Sequence, residues 1–241
     1  MDSGTGQELS HRADERFPMC STFKVLAAAA VLDRNPPEHL DLRVRYRAAD
    51  IVPFSPITEA HIHGGLTIRE LCDAAIRYSD NTAGNLLLDE LGGPGAVTAF
   101  ARSLGDQVTR LDRREPELNS AVPGDDRDTT SPRAIAADYR ELVLGSWLDD
   151  MDRALLSIWL VGNATGDTRI RAGLPADWRV GDKTGAGRYG VVNDVAIAWP
   201  PGTAPIVLAV LSARPTTDAP GDNMLIAQAA TVIANELGRT G

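Results

Sequence analysis

The sequence predicts an α+β fold, an antiparallel sheet flanked by helices beside a mainly helical lobe. Three observations carry this prediction. Helix-start and helix-stop signals crowd the centre of the chain, two apolar runs joined by Pro200-Pro201-Gly202 lie near its end, and a helical stripe closes it. Residues 8–17 alternate loosely and read as a first strand. The stretch from Ser21 to about Val161 reads as helical. Within it, Thr67-Ile68-Arg69-Glu70 is a capping box with Leu66 and Leu71 placed as a hydrophobic staple, and Leu71, Ala74, Ala75 and Tyr78 then recur on one face. Asn81 to Leu91 stops at Gly92-Gly93, the next helix runs from Pro94 to Gly105, and another starts at Ser131-Pro132 and ends near Gly145. Gly190–Trp199 and Ile206–Leu211 read as paired strands, with Arg179–Gly185 as a third. Asn223 to Leu237 carries apolar residues at Leu225, Ile226, Ala229, Ala230, Ile233 and Leu237, the pattern of a helix that packs on the sheet. One domain over 1–241 is expected, with 1–18 and 164–241 in the sheet-bearing lobe, 19–163 in the helical lobe, and a ligand site in the cleft between them.

Composition narrows the partners. With 24 Lys and Arg against 33 Asp and Glu, the formal charge is −9. No basic run is present to release counterions from a phosphate backbone, which argues against nucleic acid. The longest apolar run, Val25 to Leu32, is far too short to span a bilayer, and the acidic residues Glu8, Asp14 and Glu15 ahead of it exclude a signal peptide. No membrane partner is expected. Cys20 and Cys72 supply neither a disulfide framework nor a zinc quartet and read as buried thiols. His61-Ile62-His63 lacks a nearby third ligand, so no metal is assigned, nor any other cofactor.

Three short motifs carry chemistry. Ser21-Thr22-Phe23-Lys24 sets a hydroxyl and an ammonium three residues apart, on one face of the first helical turn if Pro18 marks the entry. A serine becomes a nucleophile when a neighbouring base takes its proton, and a lysine serves when burial lowers its pKa. The plain alternative is a helix cap with a lysine in solvent. Ser79-Asp80-Asn81 lies at the seam of two helices, where polar side chains cap or point into a cleft. Lys183-Thr184-Gly185 lies on a strand where a cation and a hydroxyl can grip a carboxylate, the alternative being an ordinary edge-strand lysine.

S-x-x-K, S-D-N and K-T-G in this order form the set found in class A β-lactamases and penicillin-binding proteins. Here the sequence resembles the class A serine β-lactamases, over essentially the whole chain. Residues 19–24, 72–80 and 172–178 are similar to those of actinobacterial members. The resemblance implies a role for each matching residue. Ser21 attacks the lactam carbonyl, with the backbone amides of Ser21 and Ala186 as oxyanion hole. Lys24, or Glu115 through a water, takes the serine proton. Glu115-Pro116-Glu117-Leu118-Asn119 resembles the family's omega loop, here 113–128, in which Glu115 and Asn119 hold the hydrolytic water and Arg113 and Asp128 pair at the neck. Ser79 relays a proton to the leaving nitrogen, Asn81 binds the substrate's side-chain amide, and Lys183, Thr184 and Gly185 hold its carboxylate. Arg169 resembles an extra carboxylate-binding arginine, and Phe54 an aromatic gatekeeper at the cleft mouth. Position 187 is glycine, so the bridge to Cys20 found in some carbapenem-hydrolysing members cannot form.

The implied activity is hydrolysis of penicillin- and cephalosporin-type antibiotics through an acyl-enzyme, giving resistance, by an enzyme that works as a monomer on a small molecule. Two alternatives stand beside it: an acyl-trapping penicillin-binding or sensor module, against which Glu115 and Asn119 argue, and an inactive truncated paralogue. Family members carry an export signal, a helix and an opening strand ahead of this chain's first predicted strand. The expectation is therefore a start inside a longer gene product, or a shortened fold with an unpaired sheet edge. The family is exported, whereas this chain as written would stay in the cytoplasm.

Overall fold

A computed structural model of the chain describes residues 1–238. Its central element is α1 (Phe23–Arg34), where Phe23 to Leu32 are all buried, Lys24 among them. A helix apolar on every side has no solvent face to offer and is surrounded by others. Around it pack α3 (Ile68–Arg77), α4 (Asn81–Leu91), α5 (Pro94–Ser103), α6 (Pro132–Leu144) and α7 (Asp150–Val161). The capping box is formed: Glu70 N donates to Thr67 Oγ1 at 3.1 Å and Thr67 N to Glu70 Oε2 at 2.7 Å. The stapling pair Leu66 and Leu71 is buried. Gly92, in the left-handed region at φ 91°, stops α4, and Pro94 opens α5.

The sheet is three-stranded and antiparallel, in the order β5 (Arg179–Ala186), β6 (Val192–Trp199), β7 (Ile206–Ser212). The remaining strands are two short pairs. One joins β1 (Phe17–Pro18) to β4 (Thr129–Thr130), and the other joins β2 (Arg43–Val44) to β3 (Leu66–Thr67). Side chains alternate across β6 and β7. Val195, Ile197, Val207 and Leu211 join the large core with the helical lobe, whereas Ala196, Ala198, Ile206 and Leu208 join a second core beneath α8 (Ile170–Gly173) and α9 (Asn223–Leu237). Both faces of β6 are thus covered, as its continuous apolar run requires. A short α2 (Pro56–Ala60) completes the helices.

Two expectations are corrected. Residues 8–16 form no strand, and only Phe17–Pro18 pair, with Thr130 and Thr129. Glu8, Ser10, His11, Arg12, Glu15 and Arg16 are exposed, so the segment lacks an apolar alternate face to bury. The β7 edge is also not bare at its start: Met1 N donates to Val207 O at 2.8 Å, Val207 N to Met1 O at 2.9 Å, and Ser3 N to Pro205 O at 2.9 Å. No helix among the described residues is long and apolar enough to cross a membrane.

Candidate active site

The end of β5 lies against the turn that begins α1. A Cβ on Gly185 would stand 2.9 Å from Met19 O and 3.4 Å from Ser21 N, so glycine is what permits the approach. Ser21 sits in a 3₁₀ turn, Cys20–Thr22, one step ahead of the helix proper. Cys20 before it has φ 47° and Ser79 across the cleft has φ 55°, left-handed conformations that cost a non-glycine residue about 1–3 kcal/mol each and persist where packing imposes them. The cleft is a cavity of about 690 Å³ whose lining includes Ser21, Ser79, Asn81, Asn119, Arg169 and Thr184, with Phe54 at its edge, 85 % exposed.

Beneath this lining lie three buried charged groups. Lys24 Nζ donates to Ser21 Oγ at 3.0 Å, Asn81 Oδ1 at 2.6 Å and Ser79 O at 2.8 Å, and stands 3.1 Å from Glu115 Oε1. It is not a lysine in solvent. Burial lowers its pKa, opposed by the charge and hydrogen bond of Glu115. Ser21 Oγ donates to Glu115 Oε1 at 3.0 Å, and Asn119 Nδ2 holds Glu115 Oε2 at 2.5 Å. Lys183, also buried, donates to Ser79 Oγ at 2.9 Å and to Thr184 O at 2.9 Å. Burial drives its pKa well down, with the charge of Lys24 acting in the same direction. The cap of α4 is Asp80, whose carboxylate accepts from Ala83 N at 2.8 Å and also takes Ile57 N and Thr58 N, which leaves Ser79 free to face Lys183.

The loop carrying Glu115 is closed at its neck. Asp128, fully buried, accepts from Asp112 N, Arg113 N and Arg113 Nε at 2.7, 2.9 and 2.6 Å. The Glu115–Pro116 peptide is cis. Asn85, which sequence reasoning missed, clamps the Glu115 backbone from both sides: its Oδ1 accepts Glu115 N at 2.9 Å and its Nδ2 donates to Glu115 O at 2.8 Å. The available signal was its position one turn after Asn81 on the same helix. Thr165, also missed, shares a 2.5 Å hydrogen bond with Thr184. Arg169 Nη1 is anchored on Gly185 O at 2.9 Å and Asn193 O at 2.7 Å.

The sequence-predicted residues Ser21, Lys24, Ser79, Asn81, Glu115, Asn119, Lys183, Thr184, Gly185, Ala186, Arg169 and Phe54 therefore converge on one cleft. Arg113 and Asp128 stand at the loop neck. Cys20 and Cys72 are buried free thiols, and burial pushes both upward in pKa. His61 and His63 are exposed, His61 Nδ1 lying 2.7 Å from Ile57 O.

Known proteins resemble this chain over nearly its whole length. The model of the β-lactamase enzyme family matches residues 1–237. A β-lactamase of Nocardia asteroides, AST-1, is 58 % identical over 240 residues, covering 99 % of this chain and 77 % of its own length. The carbapenem-hydrolysing β-lactamase KPC of Klebsiella oxytoca is 53 % identical, covering 100 % and 83 %. Among solved structures, the β-lactamase from Streptomyces albus G superposes with a TM-score of 0.96 at 55 % identity, covering 98 % of this chain and 91 % of that one. Likeness at this level covers nearly all of the chain, and it follows that the chain belongs to the β-lactamase enzyme family, in its class A serine branch.

Proposed function

We propose that this chain hydrolyses the amide bond of β-lactam antibiotics through an acyl-enzyme on Ser21, deacylated by water activated at Glu115, and so confers resistance. The observation that carries the reading is the placement of Ser21 Oγ, 3.0 Å from both Lys24 Nζ and Glu115 Oε1. The serine proton points to the carboxylate, while the ammonium donates to the oxygen and steadies its developing charge. All three Lys24 protons have acceptors in Ser21, Ser79 and Asn81, which favours Glu115 as the base of both half-reactions.

Acylation forms the Ser21 Oγ–carbonyl bond and breaks the lactam C–N bond. The carbonyl oxygen draws on the amides of Ser21 and Ala186, about 2.7–4 kcal/mol per donor where such donors have been removed from other enzymes. The leaving nitrogen takes a proton from Ser79, which recovers one from Lys183 Nζ at 2.9 Å, a group whose lowered pKa makes it a ready donor. Once Glu115 has released the serine proton and Lys183 has regained one, through solvent, Glu115, oriented by Asn119 and Asn85, draws a proton from the water that attacks the ester; the Ser21 Oγ–carbonyl bond breaks, and that proton passes from Glu115 to Ser21 Oγ. Lys183, Thr184, Gly185 and Arg169 take the substrate carboxylate, Asn81 its side-chain amide, and Phe54 flanks the entrance. A division at 18/19 and 163/164 would set the cleft between a sheet-bearing and a helical lobe. The groups named here are all residues of this chain, so the proposed site needs none from a second copy. Family likeness supports work outside the cell or in its envelope.

The test is turnover of a chromogenic cephalosporin by the parent chain, Ser21→Ala and Glu115→Ala. Sustained turnover is expected in the parent, none in Ser21→Ala, and in Glu115→Ala both acylation and steady-state turnover at least ~10²-fold slower, the scale of general-base assistance. A burst without turnover in the parent chain would favour acyl trapping instead.

A further inference from the structure

Behind the carboxylate grip, the sheet holds two acids that the reaction does not use. Asp182 on β5 and Asp194 on β6 are fully buried. The register sets Thr184 opposite Asp194, and Asp182 lies two residues from Thr184, so all three side chains share one face. Residues 163–171 close over that face. Asn163 Nδ2 donates to Asp182 Oδ2 at 2.5 Å, Arg171 Nε to Asp182 Oδ1 at 2.6 Å and Ile170 N to Asp194 Oδ2 at 3.0 Å. Asn163 Oδ1 takes Thr165 N and Oγ1, which places Thr165 Oγ1 against Thr184. The segment lies directly on the acid: a Cβ on Gly166 would fall 2.0 Å from Asp182 Oδ2.

The two carboxyl groups are served unequally. Asp182 has a guanidinium and an amide, one on each oxygen, and can remain ionised. Asp194 has a single backbone amide on Oδ2, and its buried Oδ1 has no partner. Two buried carboxyl groups in contact do not both ionise, and the one without a counter-charge keeps the proton. Burial, and after it the charge of Asp182, hold the Asp194 carboxyl well above the usual carboxylate range. A proton on Oδ1, shared with Asp182, satisfies the orphaned atom and removes the repulsion.

We propose that Asp194 is a positioning residue which, as a neutral acid donating its proton to the Asp182 carboxylate, clamps residues 163–171 onto β5 and β6 and so sets Arg169 and Thr184 to receive the substrate's carboxylate. This role rests on the reading of Arg169 and Thr184 given above. Among the described residues Arg169 forms no ion pair and is held by the carbonyls of Gly185 and Asn193 and by Asn223 Oδ1 at 3.1 Å, so its aim depends on how the segment that carries it is seated against β5, β6 and α9.

The experiment pairs infrared spectroscopy with kinetics on the full chain, Asp194→Asn and Asp194→Ala, using a penicillin and its carboxyl ester. Asp194→Asn should lose a protonated-carboxyl band present at neutral pH in the parent, while the band of Asp138, a second buried acid whose pKa burial raises to about 9, remains. Its amide donates to Asp182 as the acid did, so KM should stay within about twofold. Asp194→Ala removes a hydrogen bond to a charged group, and KM for the penicillin should rise about tenfold with kcat changed far less. For the ester, KM should not change. A spectrum unaltered by Asp194→Asn would overturn the shared proton, and an equal loss toward acid and ester in Asp194→Ala would overturn the positioning role. Absence of turnover in the parent chain would overturn the reading of the site and this role together. It is separable from failure of the pair, because the band is read without substrate.

Discussion

Asp138, on α6, tests how far the polar interior determines stability. Its side chain is buried, its Oδ2 has no hydrogen-bond partner, and burial, reinforced by the charge of Asp106, pushes its pKa up to about 9. The carboxyl is therefore neutral in the folded chain at pH 7 and ionised in the unfolded one. Between about pH 5 and pH 8 the native state holds one more proton than the unfolded state at this site, so stability falls with rising pH by about 1.4 kcal/mol per unit. The sign follows from the raised pKa. The contribution is complete below the unfolded value of 3.8, declines above it, and is gone once the pH passes about 9. Over three pH units the loss is about 4 kcal/mol, a large share of a typical 5–15 kcal/mol. Asp138→Asn keeps a donor for Asp106 and has nothing to ionise. Urea unfolding of parent and variant at pH 5, 6, 7 and 8 should show the difference in stability growing by about one proton's worth per unit, with the variant favoured at pH 8. Parallel pH profiles would refute the argument and mean that Asp138 is ionised in the fold. The cleft lies close to this acid, because its neighbour Tyr139 donates to Thr22 O at 2.9 Å, one residue from Ser21.

Other perturbations probe the loop and the nucleophile's turn. Asp128→Ala leaves two backbone amides without an acceptor and takes from Arg113 its nearest carboxylate, leaving it Ser120 and, at 3.9 Å, Asp125; at about 3–5 kcal/mol for a broken buried pair the melting temperature should drop by about 6–20 °C, with deacylation impaired as Glu115 loosens. A shift under about 2 °C in calorimetry would show that the neck is not a holding point. Gly187→Cys should bond to Cys20, because a Cβ there stands 2.8 Å from the Cys20 sulfur, close to the roughly 3 Å between a Cβ and the far sulfur of a disulfide. Intact mass should fall by two hydrogens relative to the reduced variant, and oxidised protein of unchanged thermal stability would contradict the roughly 2–4 kcal/mol expected.

What the sequence disclosed was what depends on local spacing. The capping box at Thr67, the stop at Gly92 and the three strands near the end are set by residues close together in the chain, and the structure has them within two residues. The three motifs were legible as a set because their order along the chain matched a known arrangement. Their physical state was not. S-x-x-K says nothing of whether its lysine faces solvent, and Lys24 is fully buried only because α1 is enclosed on all sides. The acids Asp182 and Asp194 look like ordinary strand residues until the register of β5 with β6 puts Asp194 opposite Thr184. Asn85 reads as a polar position on a helix, and only the return of the loop through Glu115 gives it a partner 30 residues away. Residues 8–16 misled because alternation without apolar residues on one face gives a strand nothing to bury.

The distribution of charge explains why so costly an interior is kept. Lys24 and Lys183 are both fully buried in a chain of net charge −9; burial lowers the pKa of each, and the charge of Lys24 lowers that of Lys183 further. Burying either alone would leave an uncompensated charge, a cost of several kcal/mol. The structure offsets that cost unequally. Lys24 has a carboxylate at 3.1 Å together with a hydroxyl, an amide oxygen and a carbonyl, whereas Lys183 donates to one hydroxyl and one carbonyl, and its buried neighbour Asp182 is already engaged by Arg171 and Asn163. The less compensated ammonium is the one beside Ser79, at the edge of the cavity, where a substrate carboxylate would complete its coordination. Binding would then supply the counter-charge that the fold withholds, and affinity for an anionic substrate and instability of the empty site become two consequences of one arrangement. On that reasoning Lys183→Met, which keeps the stem and removes the charge, should raise the melting temperature of the empty protein while raising KM for a penicillin at least tenfold. A fall in both melting temperature and affinity would show instead that Lys183 is already fully paired without substrate.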